Sequence, residues 1–200
     1  MRISLKHWLR QRREPWRKIF YDAFRNWKSH KMEARRMEFS TLGPDSVVLD
    51  IGGFEGNWAA DIHARYAARV HIFEPHPTFA AKIAQRFNGN RSLIVHDFAL
   101  GSRGGILDLS DDGDASSSFR SVGRSVAGRV VPVSHFFEEA DLPFVDVVKI
   151  NIEGGEYDLL PALIDSGVIK RIGTIQVQFH LFSELDIDRR QAIRTNLALT

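Results

Sequence analysis

Residues 47–56 read Val-Val-Leu-Asp-Ile-Gly-Gly-Phe-Glu-Gly, an apolar run interrupted by Asp50 and closed by a glycine-rich turn. A short run of branched apolar residues suits a strand buried on both faces, as in a parallel sheet covered by helices. Outward from it the pattern alternates. Trp58, Ile62 and Tyr66 have helical spacing, Val70–Phe73 is again strand-like, and Phe79, Ile83 and Phe87 return to helical spacing. Leu93–Val95, Val145–Ile152 and Thr174–Phe179 read as further strands, with a helix-like segment to about Ile164 between the last two. Leu185, Arg189, Ala192, Ile193 and Leu197 close the chain at helical spacing. Such alternation predicts a doubly wound α/β fold with a mostly parallel sheet. Between Gly101 and Pro132 the rhythm breaks into a Gly/Ser/Asp-rich region, read as a strand or hairpin plus a loop.

In an open parallel sheet, ligands bind beyond the carboxyl ends of the strands. Gly52, Gly53 and Gly56 end the first strand and let the backbone turn sharply beside a ligand. Glu74-Pro75 ends the second, placing a carboxylate 18 residues beyond Gly56 where it can accept ribose hydroxyls. The dinucleotide fingerprint G-x-G-x-x-G fails, because position 51 is isoleucine. Asp50 before the turn is unfavourable beside a pyrophosphate and suits a ligand with an ammonium or sulfonium group, which points to S-adenosylmethionine. Asp97, ending the third strand, reads equally as an adenine contact or a structural hydrogen bond.

Asp146–Glu156 ends the fourth strand with Lys149, Asn151, Glu153 and Glu156 around Gly154-Gly155. Burying such groups without purpose is costly, and alternation puts Lys149, Asn151 and Glu153 on one side. A catalytic or substrate role is one reading. The other is that Glu156 complements a helix dipole while Lys149 pairs with a carboxylate. His180, ending the fifth strand, is placed to remove a hydroxyl proton. His63, His71, His96 and His135 are scattered and read as structural. Asp111-Asp112-Gly113-Asp114 lacks the EF-hand spacing, so it reads as a solvated loop, and Ser116–Ser118 read either as contacts to a polar substrate or as an ordinary Ser-rich loop. No metal site is expected.

Apolar residues at 44% and charged residues at 26% are those of a chain that buries a core. With no cysteine, thiolate zinc sites, disulfides and cysteine nucleophiles are excluded. No apolar run reaches the roughly 18–20 residues of a membrane span, and the basic amino terminus lacks the apolar stretch of a secretory signal. The cytoplasm is the expected compartment.

The net charge of +2 averages two unlike segments: residues 1–39 carry +8 and residues 40–200 carry −6. We therefore divide the chain into a basic helical arm, 1–40, and a ligand-binding domain, 41–200. The arm carries an apolar stripe at Trp16, Ile19, Phe20, Phe24 and Trp27, with Pro15 suited to a first helical turn. Three readings stay open: packing on the domain, lying on the inner face of an anionic membrane, or holding an anionic substrate.

Asp50–Gly56, Phe73-Glu74-Pro75, Ala99-Leu100-Gly101 and above all Lys149-Ile150-Asn151-Ile152-Glu153-Gly154-Gly155-Glu156 resemble the FkbM family of S-adenosylmethionine-dependent methyltransferases, over roughly residues 45–182. The resemblance implies a class I Rossmann-like fold, S-adenosylmethionine held by Asp50, Gly52 and Glu74, and O-methylation of a sugar or natural-product hydroxyl. Three positions depart from the family's common pattern. Gly53-Phe54 replaces Ala-Asn, Asn151 replaces aspartate, and Gln178 replaces a glutamate. Losing two carboxylates argues against a metal-assisted mechanism and leaves Glu153, Glu156 and His180 as base candidates. The antiparallel sixth and seventh strands usual in such enzymes have no counterpart in the sequence, so either the chain is a carboxyl-terminally truncated fragment or the sheet edge is unusual, with the fifth strand exposed.

The leading expectation is thus an O-methyltransferase acting on a small-molecule or saccharide acceptor. A binding protein of the same fold without catalysis is the alternative. A nucleic-acid methyltransferase ranks below both, because the domain carries no basic excess.

Overall fold

The computed structural model describes residues 14–110 and 125–200, so Asp111–Asp114 and Ser116–Ser118 lie outside the described residues. Strand β1 (Val47–Ile51) sits at the centre of a five-stranded parallel sheet. Its neighbours are β2 (Arg69–Phe73) and, beyond it, β3 (Leu93–His96) on one side. On the other side lie β7 (Val145–Ile150) and then β8 (Ile172–Val177). The order β3-β2-β1-β7-β8 reverses direction between β1 and β7, which makes that junction the topological switch point where α/β folds bind ligands.

Alternation along β1 feeds two cores. Val48, with Val70, Ile72 and Val147, packs against Trp58 and Ile62 of α3 (Asn57–Tyr66) and Ile83 of α4 (Pro77–Arg86). Leu49 and Ile51, with Phe73, Val148 and Ile150, pack on the other face. There they meet α5 (Val133–Glu139), α6 (Glu156–Asp165) and Ile193 of α7 (Leu185–Leu197). Leu159, Leu160 and Leu163 of α6 are almost wholly buried, each contributing roughly 1.5–3 kcal/mol.

The irregular region folds into a second, three-stranded sheet. Here β4 (Phe98–Gly101) runs parallel to β6 (Ser125–Pro132), and β5 (Gly105–Ser110) pairs antiparallel with β6. The chain changes sheets at Asp97, between β3 and β4. Apolar content alone does not mark such a switch. A Cβ on Gly128 of β6 would lie 2.9 Å from the Pro75 carbonyl, so its absence lets this sheet close against the end of β2. Strands β7 and β8 stop two residues short of their apolar runs, each ladder adding one more bond through Asn151 N–H to Ile51 O and Gln178 N–H to Ile150 O.

Ahead of β1, a 3₁₀ turn (Pro15–Arg17) leads into α1 (Lys18–Ser29) and the short α2 (Met32–Arg35). Met37 is buried in the α3/α4 core, and the Tyr66 hydroxyl ties the Met37 carbonyl and the Phe39 amide to the domain. Among the described residues no helix is long and apolar enough to cross a membrane.

Candidate active site at the carboxyl edge of the sheet

A cavity of about 680 Å³ opens at the switch point, a size suited to a nucleotide-like ligand. Gly52, Phe54, Glu74, Pro75, Ala99 and Leu100 form one part of its wall. Asn151–Gly155, Tyr157 and Asp158 form the middle, and Phe182, Ser183, Asp186 and Arg189 the other end. Leu107, Leu109 and Val130 of the second sheet supply an apolar side.

The glycine turn is held from below. Gly52 and Gly53 both donate to the Phe73 carbonyl, at 3.0 Å each. Gly52 has φ +85°, and a Cβ there would lie 2.1 Å from the Asn151 carbonyl, so the position admits only glycine. Lys149, opposite Asp50 in the strand register, donates to Asp50 Oδ1 and to the Gly52 carbonyl, both at 2.7 Å. Asp50 is 0% exposed and Lys149 11%. Burial pushes the Asp50 carboxyl above its ordinary range, against the opposing charge and hydrogen bond of Lys149. Asp50 does not line the cavity, and Lys149 joins it to the glycine turn that does.

Glu74 lines the cavity. Phe54 N–H donates to its Oε2 at 2.8 Å and His76 N–H to its Oε1 at 2.9 Å. Burial raises its pKa, and those two amides pull the other way. Phe54 takes a left-handed backbone (φ 51°) to deliver its amide, and its ring packs on Phe79 at 4.7 Å between centroids. Glu153, across the cavity, is also left-handed (φ 44°). Non-glycine residues held in this region store strain of order 1–3 kcal/mol, which collects at functional sites. A rigid carboxylate, bare glycine-turn backbone and an apolar wall of Phe73, Ala99 and Leu100 fit an adenosine group.

At the other end, Glu156 joins two strand ends. Its Oε2 accepts from Gly154 N–H at 2.7 Å, and its Oε1 from His180 N–H at 2.6 Å, with His180 Nδ1 at 3.2 Å. Burial opposes ionisation of Glu156, but the His180 hydrogen bonds outweigh it and hold its pKa below the ordinary value. Gln178 Nε2 lies 3.3 Å from His180 Nε2. The ionised Glu156 carboxylate only accepts, so Nδ1 carries the proton toward it and Nε2 is left as an acceptor. The His180 ring stacks on Phe182, which lines the cavity. The Tyr157 hydroxyl donates to the His180 carbonyl at 2.9 Å, and burial pushes that hydroxyl up to about 12.

Among the residues singled out from sequence, Gly52, Glu74, Pro75 and Glu153 line the cavity. Asp50, Lys149 and Glu156 stand behind its wall, and His180, 21% exposed, borders it beside Phe182. Gly53 is packed against Ile72, and Gly56 precedes α3 against Phe87. Asp97 lies apart, its exposed side chain 3.7 Å from Arg129. Among the described residues no three His, Asp or Glu side chains cluster as metal ligands would.

The match to known proteins agrees with this geometry. A model of the methyltransferase FkbM domain matches residues 50–196, most of the chain and every strand end described above. The chain belongs to the FkbM methyltransferase family. A curated relative, the 2-O-methyltransferase NoeI of Sinorhizobium fredii, is 26% identical over 138 residues. That match covers 58% of this chain and 57% of NoeI, so the chain spans little more than half of that relative's length. Two solved structures are also similar. The precorrin-6y C5,15-methyltransferase of Geobacter metallireducens has 17% identity and a TM-score of 0.44, over 76% of this chain and 64% of that one. The precorrin 8w decarboxylase of Methanobacterium thermoautotrophicum has 15% identity and a TM-score of 0.47, over 82% and 70% respectively.

Within this FkbM domain, the sequence reading misses the cavity's far end. Tyr157, Asp158, Phe182, Asp186 and Arg189 line it. Asp186 accepts from Phe182 N–H, Ser183 N–H and Arg189, which fixes the segment after His180. The only sequence signal was the i,i+3 pairing of Asp186 with Arg189, which resembles any surface helix pair.

Proposed function

We propose that the chain transfers the methyl group of S-adenosylmethionine to a hydroxyl oxygen of a sugar, a polysaccharide precursor or a natural product. The observation that carries this reading is the Glu156–His180 pair just after β8, with His180 at the edge of a cavity that Glu74 lines beyond β2. When bound, S-adenosylmethionine supplies an electrophilic methyl group on a sulfonium. Glu74 accepts ribose hydroxyls, its carboxylate fixed by the Phe54 and His76 amides. Phe73, Ala99 and Leu100 exclude water from the adenosine side.

His180, 21% exposed at the cavity edge, takes the acceptor's hydroxyl proton at Nε2 in place of its contact with Gln178, and ionised Glu156 stabilises the resulting imidazolium through Nδ1. Lys149 and Asp50 keep the glycine turn in place. Asn151, Glu153 and Arg189 offer the hydrogen-bonding groups a polyol needs, and Leu107, Leu109 and Val130 offer a face for its apolar side. That NoeI is a 2-O-methyltransferase supports a hydroxyl acceptor. No nucleic-acid partner is part of this reading. A cofactor-binding chain without turnover is the second reading, favoured by the amides Asn151 and Gln178 where family carboxylates are common.

Calorimetric titration with S-adenosylhomocysteine, and with NAD in parallel, tests the proposal. Saturable binding of the first alone, lost in Glu74→Ala, supports it, and NAD binding overturns it. Methyl transfer to a panel of sugars then separates the two readings. Turnover that collapses in His180→Ala supports catalysis, whereas tight binding with no turnover favours the second.

A further inference from the structure

We infer that the apolar face of α1 is a docking surface for an anionic lipid bilayer. Ile19, Phe20 and Phe24 leave 43%, 44% and 49% of their surface in solvent, and no residue of α1 is buried. Helical spacing puts these three on one face with Trp16 and Trp27, and the Phe20 and Phe24 rings lie parallel at 6.4 Å. The opposite face is polar, with Asp22 paired to Lys18 and Arg25 at 2.8 Å each.

Cations border the apolar face as well. The Lys28 ammonium lies 4.7 Å from the Phe24 ring centre, while the Arg17 guanidinium, 4.5 Å from that of Trp16, is neutralised by its pair with Glu14. Long basic side chains that cover aromatic rings while keeping their charge in water suit a headgroup boundary, where rings sink and charges stay at the lipid phosphates. Charge complementarity favours this occupant over a second copy of the helix. The arm carries +8 over residues 1–39, so two arms repel, whereas an anionic leaflet attracts. The domain's net charge of −6 over residues 40–200 orients the molecule arm-first. At 12 residues, α1 is about 18 Å long and lies in the interface plane.

Co-sedimentation of the full chain with phosphatidylcholine vesicles, with or without phosphatidylglycerol, tests the inference. Partition into the phosphatidylglycerol vesicles is expected to fall roughly tenfold or more when salt rises from about 0.15 M to about 1 M. The F20S/F24S double variant should lose partition while keeping its circular dichroism and S-adenosylhomocysteine affinity. Equal partition into both vesicle types, no partition, or undiminished binding by the double variant would overturn the inference. So would a wild-type dimer that the double variant converts to monomer in sedimentation velocity, which assigns the face to a second copy.

Discussion

Lys149 and Asp50, 99 residues apart in sequence, face each other across the β1–β7 register in a 2.7 Å ion pair beneath the glycine turn. The same ammonium holds the Gly52 carbonyl, so one side chain fixes both a buried charge and the backbone at the cavity wall. Replacing Lys149 by methionine strands a buried carboxylate, which costs about 3–5 kcal/mol. The sign of its pH dependence follows. Without lysine, only the Ala59 backbone hydrogen bond opposes burial at Asp50, and its folded pKa rises further above the unfolded value. The native state then binds more protons, so the variant regains stability as pH falls from 7 toward 5. Urea unfolding of Lys149→Met at both pH values checks this, and Asp50→Asn added to it should recover much of the loss at pH 7.

Glu156 and His180 should separate by which quantity they move. His180→Ala removes the proton acceptor and should lower kcat by about 10²–10⁴-fold, with cofactor affinity kept within a few-fold. Glu156→Gln should do both kinds of damage. Its amide can accept from His180 only if its NH₂ faces the Gly154 N–H, leaving two donors opposed, at a cost of about 1–3 kcal/mol. Steady-state kinetics beside thermal melts of both variants decide the matter. A His180→Ala enzyme with wild-type kcat removes the histidine from the chemistry.

The parallel sheet was legible because Val47–Ile51, Val70–Phe73 and Val145–Ile150 are short, mostly branched apolar runs buried on both faces, despite Asp50, His71, Asp146 and Lys149 within them. The glycine turn and Glu74 were legible from their places after strands. Three things were not. That Asp50 faces inward to Lys149 depends on which strands become neighbours, and local spacing does not carry strand order. Helix α5 hides in Val133–Glu139, too short for its period to separate from a strand. Asp186 gains its role from bonding the loop after His180, a tertiary contact with no periodic signature.

His71 and His96 form a buried pair, Nδ1 to Nε2 at 3.0 Å, stacked at 5.2 Å and edged by Phe136. Burial depresses both pKa values from 6.5 to about 4. One ring must donate and the other accept, so the hydrogen bond cannot survive once both are protonated. With folded values below unfolded ones, the unfolded chain binds more protons between pH 4 and 6.5. The pair's contribution is therefore whole above about pH 6.5 and lost as pH falls toward 4, by a few kcal/mol in all. The raised Asp50 and Glu74 act in the opposite sense. A His71→Phe/His96→Phe variant isolates the pair, and its unfolding free energy should depend less on pH between 4 and 6.5. An unchanged slope would mean that these rings titrate alike in both states.

Gly52 and Gly167 share a left-handed backbone, φ +85° and +75°, but not their surroundings. A Cβ on Gly167 meets nothing within 4 Å, so Gly167→Ala should cost only the conformational preference, about 1 kcal/mol. At Gly52 the same methyl would lie 2.1 Å from the Asn151 carbonyl, which is backbone and held by the β1–β7 ladder. Neither side can yield without separating the glycine turn from the turn after β7, the two segments that meet at the cavity. Gly52→Ala should therefore cost about 2–5 kcal/mol, strain and overpacking together, and also weaken S-adenosylhomocysteine binding. Urea unfolding and calorimetry on both variants make the comparison. Equal stability losses would show that the two turns are not in contact, and a large loss with intact binding would show that the ligand does not depend on this junction.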